Sequence, residues 1–337
     1  MTVTSTSETS IGSATTNVVL QAKALLSAQP HIVLDNFAMQ AKMPKNKKLT
    51  MQWRRAVPFT ANTTPLQEGV APTARVLTYQ KVTATLAQYG ELGIITDVVD
   101  DTSEYPVFSD MTEAVGANVG RSKEQLTYAV VRAGTNIVYN NGTSRTDVNT
   151  APTLNKLRSC IAALDAQKAL PVTKMLAPST EYGTSAIEPG YIAFCHTNMK
   201  ADIRNLAGFV PVVSYGSRKP IHPREFGAVE EVRFITSADL SPFTDAGGAK
   251  AGSGTTMIST SGTSADVYPI IIIGEEAYGT VSLRGEDAMS LYTVPVGKPD
   301  SGNRLGQQGS VGAKYWHAAV RLNELWLIRL ECAATLI

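Results

Sequence analysis

The stretch "KVTATLAQYGELGIITDVVDDT", residues 81–102, alternates along most of its length. Val82, Ala84, Leu86, Leu92 and Ile94 fall on one face, and Lys81, Thr83, Thr85, Tyr89 and Glu91 on the other. A period of two, rich in β-branched and aromatic residues, specifies a strand. The same character starts near Val76, so extended chain is predicted over 76–95. At about 3.3 Å per residue this is a ribbon of roughly 60 Å, against about 17–20 Å for an ordinary strand. Residues 47–59, "KKLTMQWRRAVPF", alternate as well, with Leu49, Met51, Trp53 and Val57 on one side. Between the two lies a loop punctuated by Pro and Gly, "TANTTPLQEGVAPTA", residues 60–74. Strand, loop and strand read as an antiparallel hairpin. It either lies on its own domain or projects as an arm, and its length favours the arm. The loop tip "PLQEGVAP" carries Leu66 and Val70 with Glu68 as its single charge. A tip left in water is expected to be more polar, so Leu66, Glu68 and Val70 are expected to contact a neighbouring chain.

After Thr102 the period changes. Val107, Met111, Val115, Val119, Leu126, Val130 and Ala133 recur mostly at three- and four-residue steps, which predicts one long amphipathic helix over 107–133. Gly116 and Gly120 sit inside it, each costing about 1 kcal/mol against alanine. Their expected benefit is the close approach of another backbone. A second helix is predicted over 153–169. From Pro171 to Tyr268 the pattern is mixed. "YIAFCH" and "AVEEVRFIT" read as strands, "NMKADIRNLAGF" as a helix and "TDAGGAKAGSGTTMISTSGTSA" as a flexible loop. "DVYPIIIIG", "AYGTVSL" and "SLYTVPV" follow as strands. In the closing segment Trp316, Ala318, Val320, Leu322, Trp326, Ile328 and Leu330 share one face, with a bend at Asn323 and Glu324. At the other end, residues 1–16 are rich in Ser and Thr and are expected to be disordered alone, and 17–29 reads as a short amphipathic helix on an arm. The start has neither the basic opening nor the apolar core of a signal peptide, and the run at 269–274 is too short to cross a bilayer.

Composition narrows the function. Lys plus Arg number 30 and Asp plus Glu 29, a balance that argues against a dedicated nucleic-acid binder. Charged residues make up only 18% of the chain, so either other subunits cover part of its surface or its plentiful Ser, Thr and Asn solvate it. The cysteines, Cys160, Cys195 and Cys332, have no metal spacing and fit buried thiols in a reducing compartment. No GxSxG, Walker, GxGxxG or HExxH motif occurs. Cys195 and His196 are adjacent, which on a strand sends them to opposite faces, and His222 reads as a loop residue. No catalytic residue, metal or cofactor is expected. Two charge blocks stand out. Lys42, Lys45, Lys47, Lys48, Arg54 and Arg55 are basic, and Asp97, Asp100, Asp101 and Glu104 are acidic. They are either solvated faces, or a salt-bridged hairpin base within one subunit, or complementary surfaces of two subunits. On the last reading Trp53, Arg54, Arg55, Asp100 and Asp101 join the inter-subunit contact.

The phrases "PHIVLDNFAMQAKMPKNKK", "PLQEGVAP", "QYGELGIITDVVDDT", "GTNIVYNNG", "EFGAVEEVRFI", "IIGEEAYGTVSL" and "GSVGAKYWHAAVRLNELWLIRLE" occur in that order over nearly the whole chain. In them the chain resembles the major capsid proteins of tailed bacteriophages, in the branch typified by coliphage N-four. The resemblance implies an α+β fold of the Hong Kong 97 phage type. Its expected parts are an N-terminal arm and lead-in (1–46), an extended-loop hairpin (47–97) and a peripheral domain (98–170) with a spine helix at 107–133. An axial domain (171–268) and return strands of the peripheral domain (269–337) complete it. It further implies self-assembly into hexamers and pentamers of an icosahedral shell around packaged double-stranded DNA, contacted non-specifically. A portal, and scaffold or decoration proteins, would be partners. No membrane is involved, and the place of action is the virion, assembled in the bacterial host cytoplasm. An encapsulin-like compartment shell and an enzyme with an unrecognised site are the alternatives.

Overall fold

The long alternating ribbon is two strands that serve two different sheets. The computed structural model describes residues 28, 31–46, 48–57, 59–172, 190–215, 220–252, 255–284, 289–299 and 302–337. The expectations for 1–16 and 17–29 lie outside them, Ala28 excepted. Strand β1 is Met39–Met43, β2 is Thr50–Ala56, β3 is Tyr79–Thr85 and β4 is Ala87–Thr96. β3 pairs antiparallel with β2, from Thr50↔Thr85 to Ala56↔Tyr79, so the hairpin expectation holds. At Leu86 the chain changes partner: its amide donates to the Leu49 carbonyl (2.8 Å), and from Ala87 onward the pairing is with a later strand. The change also flips the buried face. Ala84 and Leu86 are buried before the switch; after it the inward residues are odd-numbered, ending at the fully buried Ile95, while Leu92 is 62% exposed. The single apolar face expected for 82–94 is therefore corrected. The physical reason is the change of sheet, because a one-residue interruption in a period of two exchanges inside for outside.

Beyond a short acidic helix, Asp97–Thr102, the long helix runs Val107–Arg132, within a residue of its prediction. β5 is Ile137–Tyr139, and a helix Leu154–Ala166 follows. β6 is Tyr191–His196, β7 Phe209–Pro211, β8 Glu225–Val229 and β9 Val232–Ser237. The strand expected over "AVEEVRFIT" is thus the end of β8, a tight turn and β9, with Glu230 in the left-handed region (φ 52°) in place of the customary Gly or Asn. The helix expected at "NMKADIRNLAGF" is a single 3-10 turn, Thr197–Met199, and five helical residues, Lys200–Arg204. Gly208, at φ 81°, turns the chain into β7. The loop expected to be flexible is tied down where it is described. Asp266 accepts from the amides of Asp245 and Thr260, and Asp245 accepts from Ser259 and Ser261. It carries the two-residue strands β10 (Ala251–Gly252) and β11 (Thr255–Thr256).

β12 is Val267–Ile273, β13 Tyr278–Leu283, β14 Ser290–Val294, β15 Gln308–Arg321 and β16 Leu327–Ala333. The bend expected at Asn323 is a 3-10 turn, Glu324–Trp326, started by the Asn323 side chain accepting from the Leu325 amide. A seven-stranded mixed sheet has the order β5-β16-β12-β6-β9-β8-β7. Helix Leu154–Ala166 covers one face through Leu157, Cys160, Ile161 and Leu164, against Tyr191, Ala193 and Cys195. Tyr128 and Val131 of the long helix cover the other, against Ile192, Phe194, Ile271 and Ile273. With both faces buried, β6 and β12 read as unbroken apolar runs rather than as alternation. A second, five-stranded sheet has the order β1-β13-β15-β14, with β4 also on β15. The first half of the long helix packs there, with Val107, Phe108, Val115 and Val119 on Ile95, Val311, Ala313 and Tyr315. One helix thus ties both sheets together.

Candidate assembly surface

Among the described residues, the hairpin of β2 and β3 packs on the five-stranded sheet through its base. Ala84, Leu86, Met51 and Trp53 pack with Met43, Val281, Trp316, Ala318 and Val320. Above that base the stem has no third strand among the described residues, where β2 and β3 form a sheet of two. Exposed stem side chains support one another. Arg54 lies over the Tyr79 ring at 4.2 Å, and Arg55 donates to Gln80 at 2.9 Å. At the tip, Gly69 (φ 77°) completes a turn in which the Val70 amide donates to the Gln67 carbonyl at 3.2 Å. Leu66 and Val70, flanking this turn, are 72% and 60% exposed, and Val76 is 83% exposed. An isolated two-stranded hairpin is marginal in water, and an apolar uncovered one invites a partner.

The lead-in to the hairpin is fastened to the long helix by polar contacts that sequence reading missed. The Glu124 carboxylate accepts from the amides of Val33 and Leu34 at 3.0 Å each. Tyr278 donates its hydroxyl to the Leu34 carbonyl (2.7 Å), and the Thr127 hydroxyl lies between Asp35 (2.7 Å) and His317 (3.0 Å). His31 meets Asp239 at 3.1 Å. Burial pushes the Glu124 carboxyl up to about 8, against the opposing pull of the two amides. Burial also holds His317 below the usual imidazole range, although Asp35 acts the other way. The expected close approach at Gly120 is present: a Cβ there would stand 2.5 Å from the Ala28 carbonyl oxygen. The signal for Glu124 lies in the sequence. It follows Gly116 and Gly120 at four-residue steps, and all three are buried on the same stripe.

The sequence-predicted contact residues do not form one cluster. Leu66, Glu68 and Val70 are at the tip, and Arg54 and Arg55 are exposed on the stem. Trp53 packs inward on the hairpin base. Asp100 and Asp101 lie on the acidic helix, with Asp97 and Asp100 in its first turn, where negative charge is favourable. Among the described residues, Arg54, Arg55, Asp100 and Asp101 take part in no ion pair, so these four do not close a salt-bridged hairpin base within the subunit.

The thiols and imidazoles have structural surroundings. All three cysteines are buried, and burial pushes the Cys160 thiol up to about 12 and the other two higher, which disfavours a thiolate nucleophile. His196 Nδ1 accepts from the Asn198 amide, and His222 Nδ1 accepts from the Arg224 amide. Burial lowers both imidazoles. Among the described residues no group of three or more His, Cys, Asp or Glu side chains could hold a metal ion, and no helix is long and apolar enough to cross a membrane.

A family described as phage capsid protein matches residues 79–326. The fold is similar to the capsid of Ralstonia phage GP4, with a TM-score of 0.63 at 12% identity over 89% of this chain and 90% of that one. It is similar to the cyanophage Pam1 capsid, with a TM-score of 0.61 at 12% identity over 95% and 94% of the two chains. The capsid of cyanophage P-SCSP1u gives 0.56 at 14% identity over 90% and 88%. These likenesses establish a shared mixed α+β fold. No curated protein matches the chain.

Proposed function

Because this chain belongs to the phage capsid protein family, we propose that it self-assembles into hexamers and pentamers of an icosahedral shell enclosing double-stranded DNA. Its major capsid role is structural and not enzymatic, and its place is the virion. The proposed parts are an arm and lead-in at 1–46, an extended loop at 47–97 and a peripheral domain at 98–170 with the long helix as its spine. The proposed axial domain is 171–268, with return strands at 269–337. Strands from the last three stretches meet in the seven-stranded sheet. A portal, and scaffold or decoration proteins, are further partners in this reading, and DNA is contacted without sequence preference. Assembly takes place in the host cytoplasm.

One observation carries the reading: a hairpin anchored at its base, with an apolar tip left exposed by the described residues. Burying Leu66 and Val70 against a neighbour would contribute about 1.5–3 kcal/mol each. The test replaces both, Leu66→Asp with Val70→Asp, and examines purified protein by negative-stain microscopy and thermal unfolding. The expected result is loss of closed shells, with subunit stability changed by no more than about 0.5 kcal/mol, as for exposed sites generally. Normal shells from the double variant, or a large drop in subunit stability, would refute the projecting-loop reading.

A further inference from the structure

A polar cavity lies where β15 leaves β14, its partner up to Lys314, for β13, its partner from Ala318 onward. Its volume is about 130 Å³. That is several times the space one water needs and well short of the about 300–1,000 Å³ of clefts for larger ligands, so the size suits a small ion. The lead-in contributes Asp35 to the wall, β1 Lys42, the long helix Lys123, β13 Thr280 and Ser282, and β15 His317. Two of these are basic groups held almost out of water. Lys123 is 9% exposed, with its Nζ 5.1 Å over the Tyr315 ring, and His317 is 5% exposed. Taking an ammonium out of water is costly, so a buried lysine on a cavity wall favours a negative charge in the cavity. The hydrogen bonds of His317 add a second signal. The Thr127 hydroxyl has a single hydrogen and donates it to Asp35, so it accepts from His317 Nε2–H. The neutral ring is left with a bare Nδ1, which has no hydrogen-bond partner among the described residues. A proton on Nδ1 would turn that acceptor into a donor.

We infer that this cavity binds a free tetrahedral oxyanion of the phosphate or sulfate class, held by the ammonium groups of Lys123 and Lys42, with the hydroxyls of Thr280 and Ser282 and a protonated His317 as further donors. The inference goes beyond the capsid reading and does not depend on it. Charge-assisted hydrogen bonds of this kind are the strong ones. Lys42 and Lys123 outnumber Asp35, the one carboxylate on the wall, and Asp35 is already engaged by Thr127. Binding and protonation are coupled. Burial first, and then the Lys123 charge, keep the His317 ring neutral, against the pull of Asp35. β4 places Ala87 opposite His317 and adds no charge there. Lys42 faces the same cavity, and Glu124 and Tyr278 titrate at the lead-in junction beside it. An anion offsets the lysines, so it favours the proton on Nδ1, and by reciprocity that proton favours the anion. Affinity therefore rises as pH falls through the imidazole range. A bound oxyanion would tie the lead-in and β1 to the long helix and the five-stranded sheet, and would stabilise the folded subunit by mass action.

Isothermal titration of the full-length subunit with sulfate tests this, because sulfate keeps its charge across the imidazole range. The expected result is saturable binding of one sulfate per subunit, several-fold tighter at pH 5 than at pH 8, on either side of the ordinary histidine value of about 6.5. Chloride at equal ionic strength should not replace it. Lys123→Met should weaken binding about tenfold or more, the loss expected for one charge-assisted hydrogen bond. His317→Gln should bind as the wild type does at pH 8 and lose the gain at pH 5, which separates His317 from Glu124 as the source of the pH dependence. Lys42→Met, at the exposed rim, keeps the test open where a buried variant does not fold, and it too should weaken binding. Binding that does not saturate, or that chloride matches, would overturn the inference by reducing it to an adventitious ion only. Wild-type affinity in both lysine variants would overturn it as well, and a full pH dependence in His317→Gln would contradict the coupling. A DNA backbone phosphate shares this chemistry, so a short duplex at the same phosphate concentration forms a separate arm. It should leave sulfate binding unchanged. Displacement of sulfate by the duplex would assign the cavity to nucleic acid and overturn the free-ion inference.

Discussion

β3 and β4 are neighbours in sequence, separated by Leu86, and both alternate, yet they live in different surroundings. β4 pairs with β15 along its length and is backed by the long helix, so Ile95 is fully buried. Among the described residues, β3 has β2 as its one partner and leads to a loop whose Leu66 and Val70 are exposed. A period of two reports that chain is extended. It does not report which face will be covered, or whether the cover comes from the same chain. On the proposed function, the contrast divides the molecule into a part that is stable alone and a part that a neighbouring subunit would complete.

The sharpest way to break this contrast lies inside β4. Ile95→Ala should destabilise the isolated subunit by about 2–5 kcal/mol, as expected for truncating a large aliphatic side chain in a packed core. Leu92→Ala, three residues earlier, should change it by no more than about 0.5 kcal/mol. Thermal or urea unfolding of the two variants distinguishes them, and equal effects would restore the single apolar face that the alternation first implies.

A smaller effect concerns the lead-in that joins the two parts. Glu124 binds its proton more tightly folded than unfolded, because burial raises its carboxyl to about 8 from an ordinary 4.5. Between those values the folded state holds more protons than the unfolded state, so stability falls as pH rises through that window and levels off above it. Glu124→Gln removes the titration. Its unfolding temperature should decline less than that of the wild type between pH 5 and pH 8, once the contributions common to both proteins are subtracted. Parallel pH profiles for the two proteins would show that Glu124 does not titrate in this range.

The long helix and the hairpin are legible in sequence because each repeats one period over many residues, so single exceptions do not obscure it. The switch at Leu86 is not legible, since it depends on β15, more than two hundred residues away. The turn at Glu230 lacks the Gly or Asn that announces such turns, and the loop at 244–265 is held, where it is described, by two aspartates amid a composition typical of flexible chain. The candidate surface divides in the same way. Leu66 and Val70 are conspicuous because apolar residues flank a Gly turn. A groove beside the hairpin joins β1, the hairpin stem, the turn at Glu276 and the 322–326 turn, four segments whose proximity no local pattern encodes.

The central claim is that a neighbouring subunit completes the hairpin. Hydrogen–deuterium exchange, compared between isolated subunits and assembled shells, tests it most directly. Amides of β6 and β12, buried in the seven-stranded sheet, should be protected in both states. Amides of β2, β3 and the loop at 57–78 should exchange quickly in the subunit and become protected in the shell, since local opening is easiest where buried contacts are few. Strong protection of the hairpin in the isolated subunit, unchanged on assembly, would contradict the account.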